Sequence, residues 1–165
     1  MVQLRAKLST KSPKSKNDGF IRVAKNRDFL TILTHRKDCL QYLRSYTNTI
    51  ESGDKDGFLV VYELNSEIVG SARLDVDKDI GTLTRVVTSA DYRNSGVGSA
   101  LVIYLIDYAQ NINVKKIKLR CLINKYSFYE RLGFEKIGKS YKDDNNRYYN
   151  MQLNLQLLES KGSII

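Results

Sequence analysis

The chain has 165 residues, enough for one domain with a proper core and too few for two ordinary ones. At 42% hydrophobic and 27% charged it reads as a globular chain rather than a disordered one, and no apolar run approaches the roughly 18 residues of a membrane span. The net charge of +9 splits unevenly: residues 1–18 hold Arg5, Lys7, Lys11, Lys14 and Lys16 against Asp18, leaving +5 on the remainder. Two cysteines, Cys39 and Cys121, make no disulfide framework, and one histidine, His35, argues against a structural zinc site. No metal is expected. The N-terminus lacks the apolar centre of a signal peptide, so a reducing, cytoplasmic setting and no membrane contact are expected.

Residues 1–18 are polar, carry the only proline and show no period. They predict a flexible basic tail, which serves solubility or touches nucleic acid or an acidic partner. The domain is expected over 19–156, with a C-terminal tail from 157 to 165. FIRVA (20–24) alternates as a strand does, and Asn26 or Asp28 can cap a helix carrying Phe29, Leu30, Ile32 and Leu33. A second helical stretch holds Cys39, Leu40, Tyr42 and Leu43, and Gly53 and Gly57 bracket a turn. Strands over 58–64 and 67–74 are joined by Asn65-Ser66, hence antiparallel, and 82–88 is a further strand.

Leu101, Val102, Leu105, Tyr108, Ala109 and Ile112 recur at helical spacing and predict a helix over 96–112. VKKIKLRCLI (114–123) alternates strictly, with Ile117, Leu119, Cys121 and Ile123 opposite Lys116, Lys118 and Arg120. A short helix over 124–132 stops at Gly133, a brief strand follows, and RYYNMQLNL (147–155) alternates again.

Two stretches compete as a phosphate site. GFEKIGKS (133–140) fits the phosphate-loop pattern at every fixed position. That pattern needs a strand before the loop and a helix starting at its Lys-Ser. Here a helix stop and a strand occupy the loop, and a polar turn without helical period follows, so the match fails on context. YRNSGVGSAL (92–101) instead follows a strand and opens a helix, whose first N–H groups lack partners and sit at the positive end of the dipole. Two glycines allow close backbone approach there. A dinucleotide-binding fold is disfavoured, because Leu101 stands where a third glycine belongs and the preceding strands form a hairpin.

Arg93-Asn94-Ser95-Gly96-Val97-Gly98 fits the [RQ]-x-x-G-x-[GA] signature, and FYERLGF (128–134) fits F-Y-E-x-x-G-F. On these two motifs, in this order and on these elements, the chain resembles the GNAT acetyltransferase superfamily. Residues 138–151 are similar to its ElaA-like branch. The resemblance implies an α+β acyl-CoA N-acyltransferase fold with a mixed central sheet flanked by helices. It implies acetyl-CoA as acyl donor, held by Arg93, Asn94, Ser95, Gly96, Val97, Gly98 and Ser99 mostly through main-chain N–H. Val86, Val87 and Thr88 would pair with the pantetheine arm, and an N–H there would stabilise an oxyanion.

The same resemblance makes Tyr129 the general acid, since a phenol stays protonated at neutral pH. Tyr126 is an alternative donor, and Asn124 either caps its helix or bonds the pantetheine. The glutamate many relatives place on the first splayed strand is absent: Thr84, Arg85 and Thr88 stand there. Remote candidates for the base are Glu63, Asp75, Asp77 and His35, while Asp143 and Asp144 could attract a cationic amine. The implied activity is acetyl transfer to a primary amine of a small molecule or protein, by a monomer or homodimer. A catalytically silent acyl-CoA-binding module is the alternative. Nucleic acid is expected only at the basic tail.

Overall fold

The computed structural model describes residues 19–41 and 46–161. The basic stretch 1–18, Tyr42 and Leu43 of the expected second helix, and residues 162–165 lie outside them. Seven strands form one mixed sheet: β1 (Phe20–Val23), β2 (Phe58–Leu64), β3 (Glu67–Asp77), β4 (Ile80–Thr88), β5 (Lys116–Leu122), β6 (Glu135–Asp143) and β7 (Asn146–Asn154). Their spatial order is β1-β2-β3-β4-β5-β7-β6. Every neighbouring pair is antiparallel except β4–β5, which is parallel because a helix crosses over between them.

That crossover helix, α3 (Val97–Asn111), buries Val97, Leu101, Val102, Leu105, Ile106 and Ala109 against one sheet face. The strands answer with Val60, Ala72, Leu74, Leu83, Ile117, Leu119, Met151 and Leu153. Alternation predicts this face, since residues two apart share it. The opposite face is covered on its N-terminal half alone: α1 (Phe29–Leu40) packs Ile32 against Leu59 and Val61, with α2 (Ser52–Asp56) beside it. No helix among the described residues packs over β5, β7 and β6 on that second face, where Lys118, Arg120 and Asn150 are exposed.

Turn chemistry sets the register. Asn65 and Ser66, at φ 51° and 67°, form a two-residue left-handed turn between β2 and β3. Gly133, at φ 94°, ends the short helix α4 (Tyr126–Arg131), as the expected stop requires.

Five local expectations need correction. Cys39 and Leu40 continue α1 rather than open a second helix. Asp28 does not cap α1 with its side chain. It closes a preceding 3-10 turn by accepting from the Lys25 N–H at 2.6 Å, and it pairs with Arg22. The turn between Gly53 and Gly57 is the helix α2, because Asp54 accepts from the Glu51 N–H at 2.9 Å and is drawn inward by arginines. The sixth strand runs on past Ser140 to Asp143, with a register shift around Gly138, and the polar stretch after it is a tight hairpin at Asp144-Asn145. Where a tail was expected from 157, α5 (Leu155–Lys161) forms, with Leu155 buried and Leu158 packed on the core.

Candidate active site

A parallel pair that stops pairing opens a slot, and β4 and β5 do this. Their pairing runs from Ile80/Lys116 to Thr82/Lys118 and ends. Beyond it, β4 carries two residues, Arg85 and Val86, against the single Ala72 of β3. This bulge bends the strand and turns its N–H groups out of register. Arg85 sits at φ 55°, a left-handed conformation that costs a non-glycine residue on the order of 1 kcal/mol or more.

Its guanidinium is held in compensation. Arg85 donates to Glu51 through Nε at 3.1 Å and again through Nη2. Glu51 also accepts from Arg73 Nη1 at 2.8 Å, and Arg73 reaches Asp54 at 2.9 Å and Asp75 at 3.0 Å. Asp54 takes both terminal nitrogens of Arg36, at 2.8 and 2.7 Å, where both side chains are essentially inaccessible. Burial alone would push the Asp54 carboxyl up, but Arg36, the Glu51 N–H and Arg73 overcome it and hold the pKa at about 2. The Arg85 and Arg73 partners likewise hold Glu51 below the ordinary carboxylate range.

The signature loop lies at the open end of this slot. A 3-10 turn, Ala90–Tyr92, leads from β4 to Arg93, and the Ser95 hydroxyl closes on the Tyr92 carbonyl. Asn94 and Gly96 adopt left-handed φ of 59° and 89°, and Gly96 is the N-cap of α3. A Cβ at Gly96 would meet nothing within 4 Å, so the space above it is open, although φ alone makes substitution costly. At Gly98 a Cβ would touch Phe128 and Thr88 at 3.5 Å, an ordinary contact that a methyl group tolerates. Gly70 on β3 is different. A Cβ there would meet the Val97 side chain at 2.8 Å, so this glycine brings the start of α3 down onto the sheet.

The remaining sequence candidates fall as follows. Val97 and Val87 are buried and can offer a ligand only backbone groups, while Val86 and Ser99 are half-buried and Arg93, Asn94 and Ser95 are exposed. Cys39 ties α1 to the slot: its thiol donates to the Thr88 carbonyl at 3.5 Å, and Arg93 Nη2 lies 3.4 Å from its sulfur. Both cysteines are free thiols. Tyr129 is half-buried, set edge-on against Phe128 and Phe134 at 4.9 and 5.9 Å. Tyr126 is half-buried, with Lys136 Nζ 3.7 Å over its ring. Asn124 lies exposed in the 3-10 turn Ile123–Lys125, and no side-chain cap bond forms at α4. Of its two expected roles, capping is not seen.

Two of the remote carboxylates expected as bases are engaged: Glu63 accepts from Arg22 Nε at 2.6 Å and Asp75 pairs with Arg73. Asp143, expected to attract an amine, pairs with Arg120 at 2.7 Å. Asp77 lies at the far end of β3, against Ile80. His35 lines a separate cleft of about 750 Å³ between α1, the β2–β3 turn and the segment after β4, and burial pushes its pKa down. No group of three metal-ligating side chains occurs among the described residues.

Sequence reading missed the Glu51–Arg85 clamp, because neither residue sits in a motif. The signal was there in a weak form: an arginine on a strand otherwise apolar and threonine-rich needs a carboxylate from elsewhere.

Residues 19–155 match the family model described as an acetyltransferase (GNAT) domain, and the chain belongs to that family. An uncharacterized N-acetyltransferase of Methanocaldococcus jannaschii is 30% identical over 105 residues, 58% of this chain and 46% of that one. Glucosamine 6-phosphate N-acetyltransferase of Schizosaccharomyces pombe is 27% identical over 88 residues, 48% of this chain and 79% of that one. The chain spans about half to three-fifths of the first curated relatives it matches.

Among solved structures, the ribosomal-protein-S18-alanine N-acetyltransferase of Escherichia coli aligns with a TM-score of 0.67 at 19% identity, over 84% of this chain and 94% of that one. Escherichia coli ElaA aligns at 0.69 and 18%, over 82% and 98%. These distant likenesses show the fold.

Proposed function

We propose that the protein is an acetyl-CoA-dependent N-acetyltransferase that moves acetyl to a primary amine by direct attack in a ternary complex. One observation carries the reading: the glycine-built start of α3 stands at the open end of the parallel strand pair β4–β5. The residues fit the family's donor. Gly96 leaves open space, and the first-turn N–H groups of α3 lack intrahelical partners as at any helix start. The β4–β5 pairing ends at Thr82/Lys118, leaving backbone unpaired between the two strands beyond it.

When bound, acetyl-CoA supplies an activated acetyl thioester. The N–H groups from Arg93 to Ser99 would hold the pyrophosphate, each charge-assisted bond contributing on the order of 1.5–3 kcal/mol. Backbone groups of Val86, Val87 and Thr88 would pair with the pantetheine, Asn124 would flank it, and an N–H left unpaired near the bulge would stabilise a developing oxyanion. Tyr129 would give its proton to the departing sulfur. With the nearby carboxylates engaged by arginines, the amine loses its proton to solvent at the mouth.

The relatives named above act, by name, on an amino sugar phosphate and on a ribosomal-protein alanine, which supports an amine acceptor. A silent acyl-CoA-binding module is the second reading, favoured by those occupied carboxylates. We place the protein in the cytoplasm.

Release of free CoA in a pooled-amine assay separates the two readings. The wild-type chain should release it, and Tyr129→Phe should be slower by about 10²–10⁴-fold at near-normal acetyl-CoA affinity. Tyr126→Phe should be mild. Full turnover in Tyr129→Phe would remove Tyr129 from its role, and silence of the wild type would leave only the binding module.

A further inference from the structure

Resting on the transferase reading, we infer that the acceptor amine carries an oxyanion, a carboxylate or a phosphate, recognised by Arg120 and Asn150 at the open sheet face. Arg120 stands two residues past Lys118, the last β5 residue paired with β4, hence about 7 Å into the slot at strand rise. Its side chain points away from the α3 face, where its neighbours Leu119 and Cys121 are buried.

Three neighbours, Asp143, Tyr148 and Tyr141, fix it in place. Nη1 donates to Asp143 at 2.7 Å, and the guanidinium lies 4.3 Å over the Tyr148 ring. Burial works against its charge, but hydrogen bonds to Asp143 and Tyr141 prevail and raise its pKa. The side chain stays 43% exposed, so its outer edge meets solvent.

Asn150 is the direct cross-strand partner of Arg120. The Tyr141 hydroxyl donates to Asn150 Oδ1 at 3.1 Å. That bond uses the acceptor end of the amide and leaves its NH₂ available as a donor on an exposed side chain. The guanidinium keeps further N–H groups beyond its bond to Asp143 Oδ2, and the Asn150 amide lies beside it on the same face, so the patch presents several donors next to one carboxylate that is already bonded to Arg120. Such a patch suits an oxyanion, and Arg is the side chain whose planar fork matches one.

Asp143 offsets the Arg120 charge within the patch, and the balance around the mouth rests on the other groups. Glu51, Asp54 and Asp75 are matched by Arg36, Arg73 and Arg85. Lys116 and Lys118 lead along β5 toward Arg120. Asp77 and Glu135 share this face but sit two strands away from the lysines. An acceptor with an oxyanion and an amine can seat the first on Arg120 and Asn150 and extend the second into the slot.

Matched amines test this: an α-amino acid against its amide, and glucosamine 6-phosphate against glucosamine. Within each pair the anionic member should show kcat/KM higher by about tenfold or more. Arg120→Gln and Asn150→Asp should erase the difference by raising KM for the anionic member alone, with acetyl-CoA affinity by calorimetry as the check on folding. A gap in one pair only identifies carboxylate or phosphate as the source. Equal efficiency within both pairs, or preference for the neutral members, overturns the anion site and leaves the transferase reading standing. Failure of acetyl-CoA to bind, or of every amine to react, overturns both.

Discussion

The two strands that part to form the slot are supported in different ways. Behind β4, α1 and α2 cover the sheet, and a chain of ion pairs runs from the inaccessible Arg36 through Asp54, Arg73 and Glu51 to Arg85 at the bulge. Behind β5 the same face is bare among the described residues, and its ion pair, Arg120 with Asp143, is 43% and 55% exposed. A braced strand holds a backbone N–H at a fixed aim, which stabilising developing charge demands. An uncovered strand gives an acceptor room to enter. In the proposed reading, the β4 side serves the donor's chemistry and the β5 side the acceptor's access.

Breaking the brace should show the largest effect on stability. Asp54→Ala leaves the Arg36 guanidinium buried without its partner, and the expected loss is about 3–5 kcal/mol by urea unfolding. The matching change on the other side, Asp143→Ala, removes an exposed pair and should cost less than about 1 kcal/mol. Similar losses at the two sites would dissolve the contrast.

Acid should sharpen it. The folded Asp54 pKa is depressed from 3.8 to about 2, so the unfolded chain takes up the proton first as pH falls. Its contribution, about 2 kcal/mol, is complete above the unfolded value and is lost as pH drops through about 2. Stability measured from pH 5 to pH 2 should fall in the wild type, and Asp54→Asn should flatten part of that fall. An unchanged slope would mean that Asp54 does not carry this dependence.

Most of the frame was legible in the chain itself. The alternation of Ile117, Leu119 and Cys121 against Lys116, Lys118 and Arg120 places β5 with one bare face, and the helical spacing from Leu101 to Ala109 places α3. The signature loop is legible because glycine is required where φ reaches 89°. What escapes is set by tertiary pairing. Nothing local marks Ser52–Asp56 as helical until Arg36 and Arg73 converge on Asp54. The hydroxyl of Tyr141 orients Asn150 only because a bulge at Gly138 resets the register of β6 against β7. The phosphate-loop spelling at 133–140 shows the reverse error: all its letters are present, on a strand.

The central claim is that the start of α3, and not the Lys139 region, is the phosphate-binding end of an acetyl-CoA site. Calorimetric titration of acetyl-CoA and ATP at fixed salt, into the wild type, Gly96→Val and Lys139→Ala, tests it most directly. Acetyl-CoA should bind the wild type and Lys139→Ala alike, Gly96→Val should lose it through strain at positive φ and a blocked approach, and ATP should not bind. Tighter or equal binding of ATP, or loss of acetyl-CoA in Lys139→Ala but not in Gly96→Val, would contradict the account.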